Sequence, residues 1–202
     1  MKFILASESP RRIDLLSMFS LDFKSINHTF NEEAVDKNLA PQKFVEMISA
    51  GKAHSISSKY MDDIILSADT IVLIDDKILE KPKNGMDAIG MLKRLSGKKH
   101  HVLTAVTIVC KKNNIEFTFC ESTKVIFNSI SDEEIQYYVK FYNPLDKSGS
   151  YGIQDFSSIF VKSIEGCFFN VVGLPLSSLF YHLKRLELIQ FSLNSNSLIN
   201  NL

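Results

Sequence analysis

Two arginines, Arg11 and Arg12, follow a serine-containing turn at the point where a short apolar run ends. The run from Lys2 to Ala6 predicts a buried strand. Ser9 and Pro10 then predict the start of a helix, because serine is a common N-cap and proline fits the first helical position. Helix N-termini attract anions and arginine forks match phosphate oxygens. The segment from Ser7 to Arg12 is therefore a candidate phosphate site, with a helix cap and solvated arginines as the alternative.

A carboxylate and a hydroxyl, Asp69 and Thr70, lie between two β-rich apolar runs, 64–67 and 71–74. A carboxylate so near buried strands needs a partner or a metal ion. Asp69 could hold Mg²⁺ or activate a water molecule. A turn aspartate that hydrogen-bonds its own backbone explains the pattern equally well.

Other candidate groups are weaker taken alone. Lys52 follows a glycine on a predicted helix, Lys81 precedes a proline, and lone lysines are usually solvated. Glu32 and Glu33 lie in an acidic loop, where adjacent carboxylates are usually solvated too. The segment 146–154 is polar and contains two glycines, which is typical of loops that line ligand sites. Together these groups suit phosphoryl chemistry, because cations hold phosphates while carboxylates hold a metal ion and orient water.

Several other chemistries are not expected. The histidines do not have the spacing of zinc ligands, and no serine lies in a Gly-x-Ser-x-Gly motif. The glycines of a Walker P-loop are missing from the segment that ends at Arg12. The three cysteines, Cys110, Cys120 and Cys167, are too scattered for a disulfide framework and are predicted to be reduced.

Composition limits the partners. The chain has 202 residues, 45% of them hydrophobic, and 23 basic residues balance 23 acidic ones. Without a basic surplus, binding to a nucleic-acid duplex is not expected. The N-terminal apolar run is too short for a signal peptide or a membrane span, so we expect no membrane association and a cytoplasmic location.

Helices and strands must position these groups. Apolar periodicity predicts helices that begin at Pro10, Pro41, Met86, Ser131 and Pro175. It predicts strands over 2–6, 23–28, 64–67, 71–74, 78–79, 101–110, 116–128, 158–163 and 168–172, the last two paired with each other. This order indicates an α/β fold with a mixed sheet. We expect one domain over 1–190 and a polar, frayed tail over 191–202.

The sequence resembles the Maf family of nucleotide pyrophosphatases over about residues 2 to 190. The likeness rests on separate motifs in the family's order and spacing, which are FILASESPRRIDLL from Phe3, GKA from Gly51, SADTIV from Ser67, EKP from Glu80, HVLTAV from His101, PLDKSGSYGIQ from Pro144 and VVGLPL from Val171.

The resemblance implies an elongated mixed sheet flanked by helices, with a cleft between two lobes (a Maf/ITPase-like fold), often as a homodimer. It implies hydrolysis of a nucleoside triphosphate to the monophosphate and pyrophosphate with a divalent cation, Mg²⁺ or Mn²⁺. Such activity limits the incorporation of non-standard nucleotides, and the family has also been linked to arrest of cell division.

The resemblance also implies residue roles. Asp69 matches the proton acceptor of the family, and Lys52 and Lys81 match its lysines. Phosphate-binding residues match Ser7, Arg11 and Arg12. The acidic-loop glutamate, a metal ligand together with Asp69, matches Glu32 best, with Glu33 one position away.

Three positions separate the subgroups of this family. Arg12 directly after Arg11, Thr70 after the aspartate, and Gln154 are the pattern of dTTP/UTP pyrophosphatases. The 7-methyl-GTP subgroup, the alternative, inserts a residue before the arginine pair and carries glutamine and glutamate at the other two positions. A nucleotide-binding regulator of septum formation is a further alternative. Asp155 departs from the family pattern, which usually has glycine there.

Overall fold

The first strand, β1 Phe3–Leu5, is completely buried and pairs in parallel with a strand on each side. Its apolar residues need cover on both faces, as is usual for parallel strands. The structure, a computed structural model, describes residues 2–191 and 198–199.

Seven strands form one sheet in the order β2-β1-β3-β5-β6-β7, with β4 paired to β3. The strands after β1 are β2 Phe23–Ser25, β3 Ile64–Ile74, β4 Lys77–Leu79, β5 Lys99–Cys110, β6 Ile115–Phe127 and β7 Val161–Glu165. The pairs β1–β2 and β1–β3 are parallel, whereas β3–β4 and β6–β7 are antiparallel. The predicted mixed α/β sheet is therefore confirmed.

Five of the six helices in the described part of the chain begin within one residue of a predicted start, and the helix Phe168–Val172 was not predicted as a helix. The helices are α1 Pro10–Ser17, α2 Pro41–Ser57, α3 Gly85–Leu95, α4 Asp132–Tyr142, α5 Phe168–Val172 and α6 Leu176–Arg185. Proline occupies the first turn of α1 and of α2. At α4 the Ser131 hydroxyl accepts from Glu134 N–H while the Glu134 carboxylate accepts from Ser131 N–H, which is a complete capping box.

Three predictions about strands were wrong in whole or in part. Residues 158–160, predicted as strand, lie in a 3-10 helix, Phe156–Phe160, and the strand begins at Val161. Residues 64–74 form one continuous strand rather than two, so Asp69 lies in the middle of β3 and not in a turn. Residues 168–172 form the helix α5, and β7 pairs with β6 instead. Periodicity cannot separate a short apolar run in a helix from one in a strand. Here Asn170 decides, because its buried amide donates to Val102 O at 2.9 Å and to Thr123 Oγ1 at 3.0 Å.

The chain forms two compact units. The first comprises Met1–Asp69, Thr104–Glu121 and Gly173–Leu202, and the second comprises Thr70–Leu103 and Ser122–Val172. In the first unit, Ala53 and Ile56 of α2 pack with Ile4, Ile65 and Val109 of the sheet. The core of the second unit draws on β3 to β6, α3 and α4. Among its members are Val72, Leu92, Val102, Val125 and Tyr138.

The C-terminal tail is only partly described. The backbones of β8 Gln190–Phe191 and β9 Leu198–Ile199 pair antiparallel. Residues 192–197 and 200–202 lie outside the described part of the chain, so the frayed tail stays a prediction there. No helix among the described residues has the length and apolar character needed to cross a membrane. The three cysteines, as described, are free thiols, as predicted.

Candidate active site

A buried lysine on α2 is the centre of a charged cluster in the first unit. Lys52 is 5% exposed, and its Nζ lies 2.6 Å from Asp69 Oδ1 and 3.0 Å from Glu32 Oε1. Asp69 comes from the middle of β3, and Glu32 begins a 3-10 turn after β2. A buried ammonium requires such partners because burial removes its hydration. Three elements therefore contribute to one interacting group.

Two buried serines fix α2 against β3 beside this cluster. The Ser67 hydroxyl donates to Ser49 O at 2.7 Å, and the two side-chain oxygens lie 3.3 Å apart. Ser49 is one helical turn before Lys52, and Ser67 is two strand residues before Asp69, so each serine shares a face with a member of the ion pair. The polar contact therefore sets the register at which lysine and aspartate meet.

Gly51 allows an aromatic ring to lie against α2. A Cβ at this position would be 2.4 Å from two atoms of the Phe30 ring, too close for any side chain. Nearby, the Thr29 N–H donates to Ser55 Oγ at 3.2 Å. These contacts hold the segment that precedes Glu32 against the helix that carries Lys52. They give a physical reason for a glycine directly before that lysine.

His28 also contacts the cluster, a residue that the sequence interpretation did not select. Its Nε2 lies 3.5 Å from Glu32 Oε1, the oxygen that also contacts Lys52. Burial first, and then the Lys52 charge, lowers the pKa of His28. A largely neutral imidazole therefore shares this carboxylate at neutral pH. No local pattern marks His28, because a four-residue spacing pairs side chains only on a helix and residues 26–31 are not helical. The structure also separates the two glutamates, because Glu33 is exposed while Glu32 contacts Lys52.

The phosphate-site candidates lie at the start of α1, in the same unit. Ser7 is buried, and its hydroxyl accepts from Ser9 N–H at 3.2 Å. Arg12 Nε donates to the carbonyl oxygen of Gly173 at 2.9 Å. Burial lowers the pKa of Arg12, and the Asp69 charge opposes that shift. An arginine stays protonated in proteins, so a guanidinium and an ammonium share this region with two carboxylates.

Thr70, Lys81 and Gln154 belong to the second unit. There the Ser148 hydroxyl donates to Thr70 O at 2.8 Å, and Gly149 N–H donates to Glu80 O at 3.1 Å. Gly149 has a φ of +68°, and an added Cβ would be 2.8 Å from Val72 Cγ2. The polar loop 146–154 therefore lies directly on β3 and on the segment that carries Lys81. The side chains of Lys81 and Gln154 are exposed.

The carboxylates of Glu32 and Asp69, which both contact Lys52, could together bind a divalent cation whose other ligands are phosphate oxygens and water. Glu32 and Asp69 both reach one ammonium nitrogen, so one cation can attract both carboxylates. Within the described part of the chain, no three His, Cys, Asp or Glu residues group as an all-protein metal site. Mg²⁺ is usually held by one or two carboxylates with phosphate oxygens and water. Two carboxylates are enough for such a site.

The mixed sheet and this cluster define an α/β protein with a charged site suited to a phosphate-bearing anion. The chain belongs to the Maf family, because the family model described as Maf-like protein matches residues 2–186.

Curated relatives span nearly the same length. A protein named dTTP/UTP pyrophosphatase from Clostridium botulinum is 46% identical over 89% of this chain and 96% of its own. One of the same name from Thermosipho melanesiensis is 49% identical over 88% and 93%, respectively. Another, from Clostridium beijerinckii, is 45% identical over 93% of this chain and 100% of its own. The predicted family is thereby confirmed.

Proposed function

We propose that this chain is a nucleoside triphosphate pyrophosphatase that hydrolyses dTTP and UTP to the monophosphate and pyrophosphate. The observation that carries the chemistry is the convergence of Asp69 and Glu32 on the buried Lys52 ammonium. The base preference is supported by the name shared by the relatives, which are 45 to 49% identical to this chain. Membership of the Maf family supports both parts of the proposal.

Positive groups near Asp69 are suited to bind the triphosphate. Arg12 carries a fork of N–H donors, and its Nε contact with Gly173 O fixes the orientation of the guanidinium. Ser7 and Arg11 flank the start of α1, where helix N–H groups favour anions. Pre-oriented donors stabilise charge that develops on phosphate oxygens during the reaction. We assign phosphate binding to Ser7, Arg11 and Arg12 and, on the family motif alone, a catalytic role to Lys81.

Asp69 is the proposed proton acceptor. A water molecule attacks the α-phosphorus, the bond from that phosphorus to the α,β-bridging oxygen breaks, and pyrophosphate leaves with the bonding electron pair. The proton of the water passes to the Asp69 carboxylate. A carboxylate has about four acceptor sites, so Asp69 can keep its contact with Lys52 while it accepts this proton. Lys52 balances the negative charge of the two carboxylates and the phosphates.

Glu32 and Asp69 are the proposed ligands of the divalent cation, Mg²⁺ or Mn²⁺. When bound, such a cation neutralises charge on the phosphate oxygens. His28 touches the same Glu32 oxygen as Lys52, so it helps to orient this carboxylate. Base selection is assigned to Arg12, Thr70 and Gln154, the positions at which the subgroups of the family differ.

The test is a panel of triphosphates that includes dTTP, UTP, CTP, ATP, GTP and 7-methyl-GTP, each with Mg²⁺ or Mn²⁺. Pyrophosphate and orthophosphate are measured separately. The proposal predicts pyrophosphate as the product and dTTP and UTP as the best substrates. Release of orthophosphate with a nucleoside diphosphate would contradict the proposed bond cleavage. A preference for 7-methyl-GTP would assign the chain to the other subgroup.

A further inference from the structure

Gln154 lies at the tip of a tight turn that is closed by its neighbour, Asp155. The Asp155 N–H donates to Gly152 O at 3.2 Å, so Ile153 and Gln154 are the two central residues of a four-residue turn. Gln154 is exposed at this tip. The side chain of Asp155 adds contacts that a glycine at this position could not make.

The Asp155 carboxylate ties this turn to the segment that follows. Its Oδ1 accepts from Ser157 N–H at 2.9 Å and lies 2.5 Å from Ser157 Oγ. The buried Ser157 hydroxyl also accepts from Gly152 N–H at 2.9 Å and lies 2.9 Å from Gly152 O. A hydroxyl carries one hydrogen and a carboxylate is the stronger acceptor, so Ser157 donates to Asp155 while it accepts from Gly152. One buried hydroxyl therefore joins both ends of the turn.

Lys147 holds the same carboxylate through its other oxygen. Its Nζ lies 3.4 Å from Asp155 Oδ2 and 2.8 Å from Asp146 Oδ1, and its side chain is only 14% exposed. Gly152 permits this approach, because an added Cβ would lie 2.7 Å from Asp155 Oδ2 and 2.9 Å from Lys147 Cε. Lys147, Asp155 and Ser157 together are called the turn clamp below.

We propose that the turn clamp positions Gln154 and thereby increases the selectivity of this chain for pyrimidine triphosphates. This inference rests on the proposed function. A glutamine amide offers both a donor and an acceptor, so on a mobile backbone it can rotate to suit any base. On a fixed backbone only one arrangement is available, and bases that do not match it are disfavoured. The clamp residues are positioning residues that act through Gln154.

The experiment compares kcat and KM for UTP, dTTP and ATP in the full-length protein and three variants, Asp155→Gly, Asp155→Asn and Ser157→Ala. In Asp155→Gly the ratio of kcat/KM for UTP to that for ATP should fall roughly 5- to 30-fold, mainly through KM for UTP. In Asp155→Asn this ratio should fall less, because the amide oxygen of the asparagine can still accept from Ser157 N–H. Asp132→Asn is the matched control, since it removes an exposed carboxylate paired with Lys93 in the same unit.

Amide hydrogen exchange over residues 147–157 supplies a readout that is independent of activity. Exchange there should be faster in Asp155→Gly than in wild type, and Asp132→Asn should match wild type. An unchanged UTP-to-ATP ratio in Asp155→Gly overturns the clamp's role in selectivity, whether or not exchange becomes faster. If that variant fails to fold, Ser157→Ala decides in its place, because it removes the hydroxyl that joins Asp155 to Gly152; an unchanged UTP-to-ATP ratio in Ser157→Ala likewise overturns the clamp's role. A wild-type protein without any pyrimidine preference overturns the proposed substrate class as well, which separates the two failures.

Discussion

Arg12 Nε donates a hydrogen bond of 2.9 Å to the carbonyl oxygen of Gly173. Gly173 has a φ of +122°, a conformation that only glycine adopts without strain. The conformation of this glycine therefore sets the direction of the carbonyl that holds the guanidinium. The motif from Val171 to Leu176 contributes to the site in this way, through its main chain rather than through a side chain.

Gly173→Ala tests this relationship. Strain at this φ should lower the free energy of unfolding by about 1–3 kcal/mol. Loss of a well-oriented hydrogen bond to a charged group should raise KM for dTTP roughly tenfold or more. The control is Gly90→Ala on α3, where an added Cβ meets no atom of the described residues within 4 Å. That change should stabilise by roughly 0.5–1 kcal/mol and leave KM unchanged. Equal KM values for the two variants would contradict a role for the Gly173 carbonyl.

Asp69→Asn keeps the size of the side chain and removes the charge that is proposed to accept a proton. General-base catalysis contributes about 10²–10⁴-fold, so kcat should fall by roughly that factor. The fold should survive, because Glu32 still contacts the Lys52 ammonium at 3.0 Å. Circular dichroism checks that the fold survives, and steady-state kinetics measure the fall in kcat. Asp62→Asn, which removes an exposed carboxylate in the same unit, should match wild type. A variant of Asp69 with more than about half of wild-type kcat would end its catalytic role.

Gln154→Glu tests the subgroup rather than the family. The change replaces an NH₂ donor by an oxygen acceptor, which would repel the pyrimidine acceptor that the amide is proposed to contact. A polar mismatch that the bound base removes from water costs about 1–3 kcal/mol, so kcat/KM for dTTP and UTP should fall roughly 5- to 150-fold. For purine triphosphates kcat/KM should fall less. An equal loss for every base would mean that Gln154 only supports its loop.

Because His100 is buried beside Tyr151, we expect the protein to lose stability in mild acid. Its Nε2 lies 2.7 Å from the Tyr151 hydroxyl, and burial, with a smaller effect of His101, lowers the pKa of His100 to about 4. Between the unfolded value of about 6.5 and this folded value, the unfolded state binds a proton that the native state excludes. The stability linked to neutral His100 is therefore fully present above about pH 6.5. As the pH falls from there towards 4, the free energy of unfolding decreases by about 3 kcal/mol in total.

Urea unfolding at several pH values between 7.5 and 4.5 measures this effect. His100→Gln keeps a hydrogen-bonding group near Tyr151 but cannot titrate, so its free energy of unfolding should depend less steeply on pH. A variant with the same pH dependence as wild type would show that other groups cause the acid loss.

Local signals in the sequence were sufficient for most of the elements. Caps, prolines and apolar periodicity depend on neighbours along the chain, so α1, α2, α3 and α4 begin within a residue or two of their predicted starts. Short apolar runs were the exception. For 168–172 the decision lies with Asn170, whose hydrogen-bond partners Val102 and Thr123 are distant in sequence. No local pattern contains that information.

The sequence by itself determined which residue types were available for phosphate chemistry, and motif spacing placed Asp69, Lys52 and Arg12 among them. Only the tertiary structure decided their partners. The family motif favours Glu32 over Glu33, but the contact of Glu32 with Lys52, and the addition of His28, exist only in the folded chain, where Phe30 packs on Gly51. Likewise, the polar contacts of Asp155 arise because the turn at Gly152 folds back on Ser157. Ion pairs and hydrogen bonds act over a few ångströms in space. Residues that are separated in the sequence come within that range only in the folded chain.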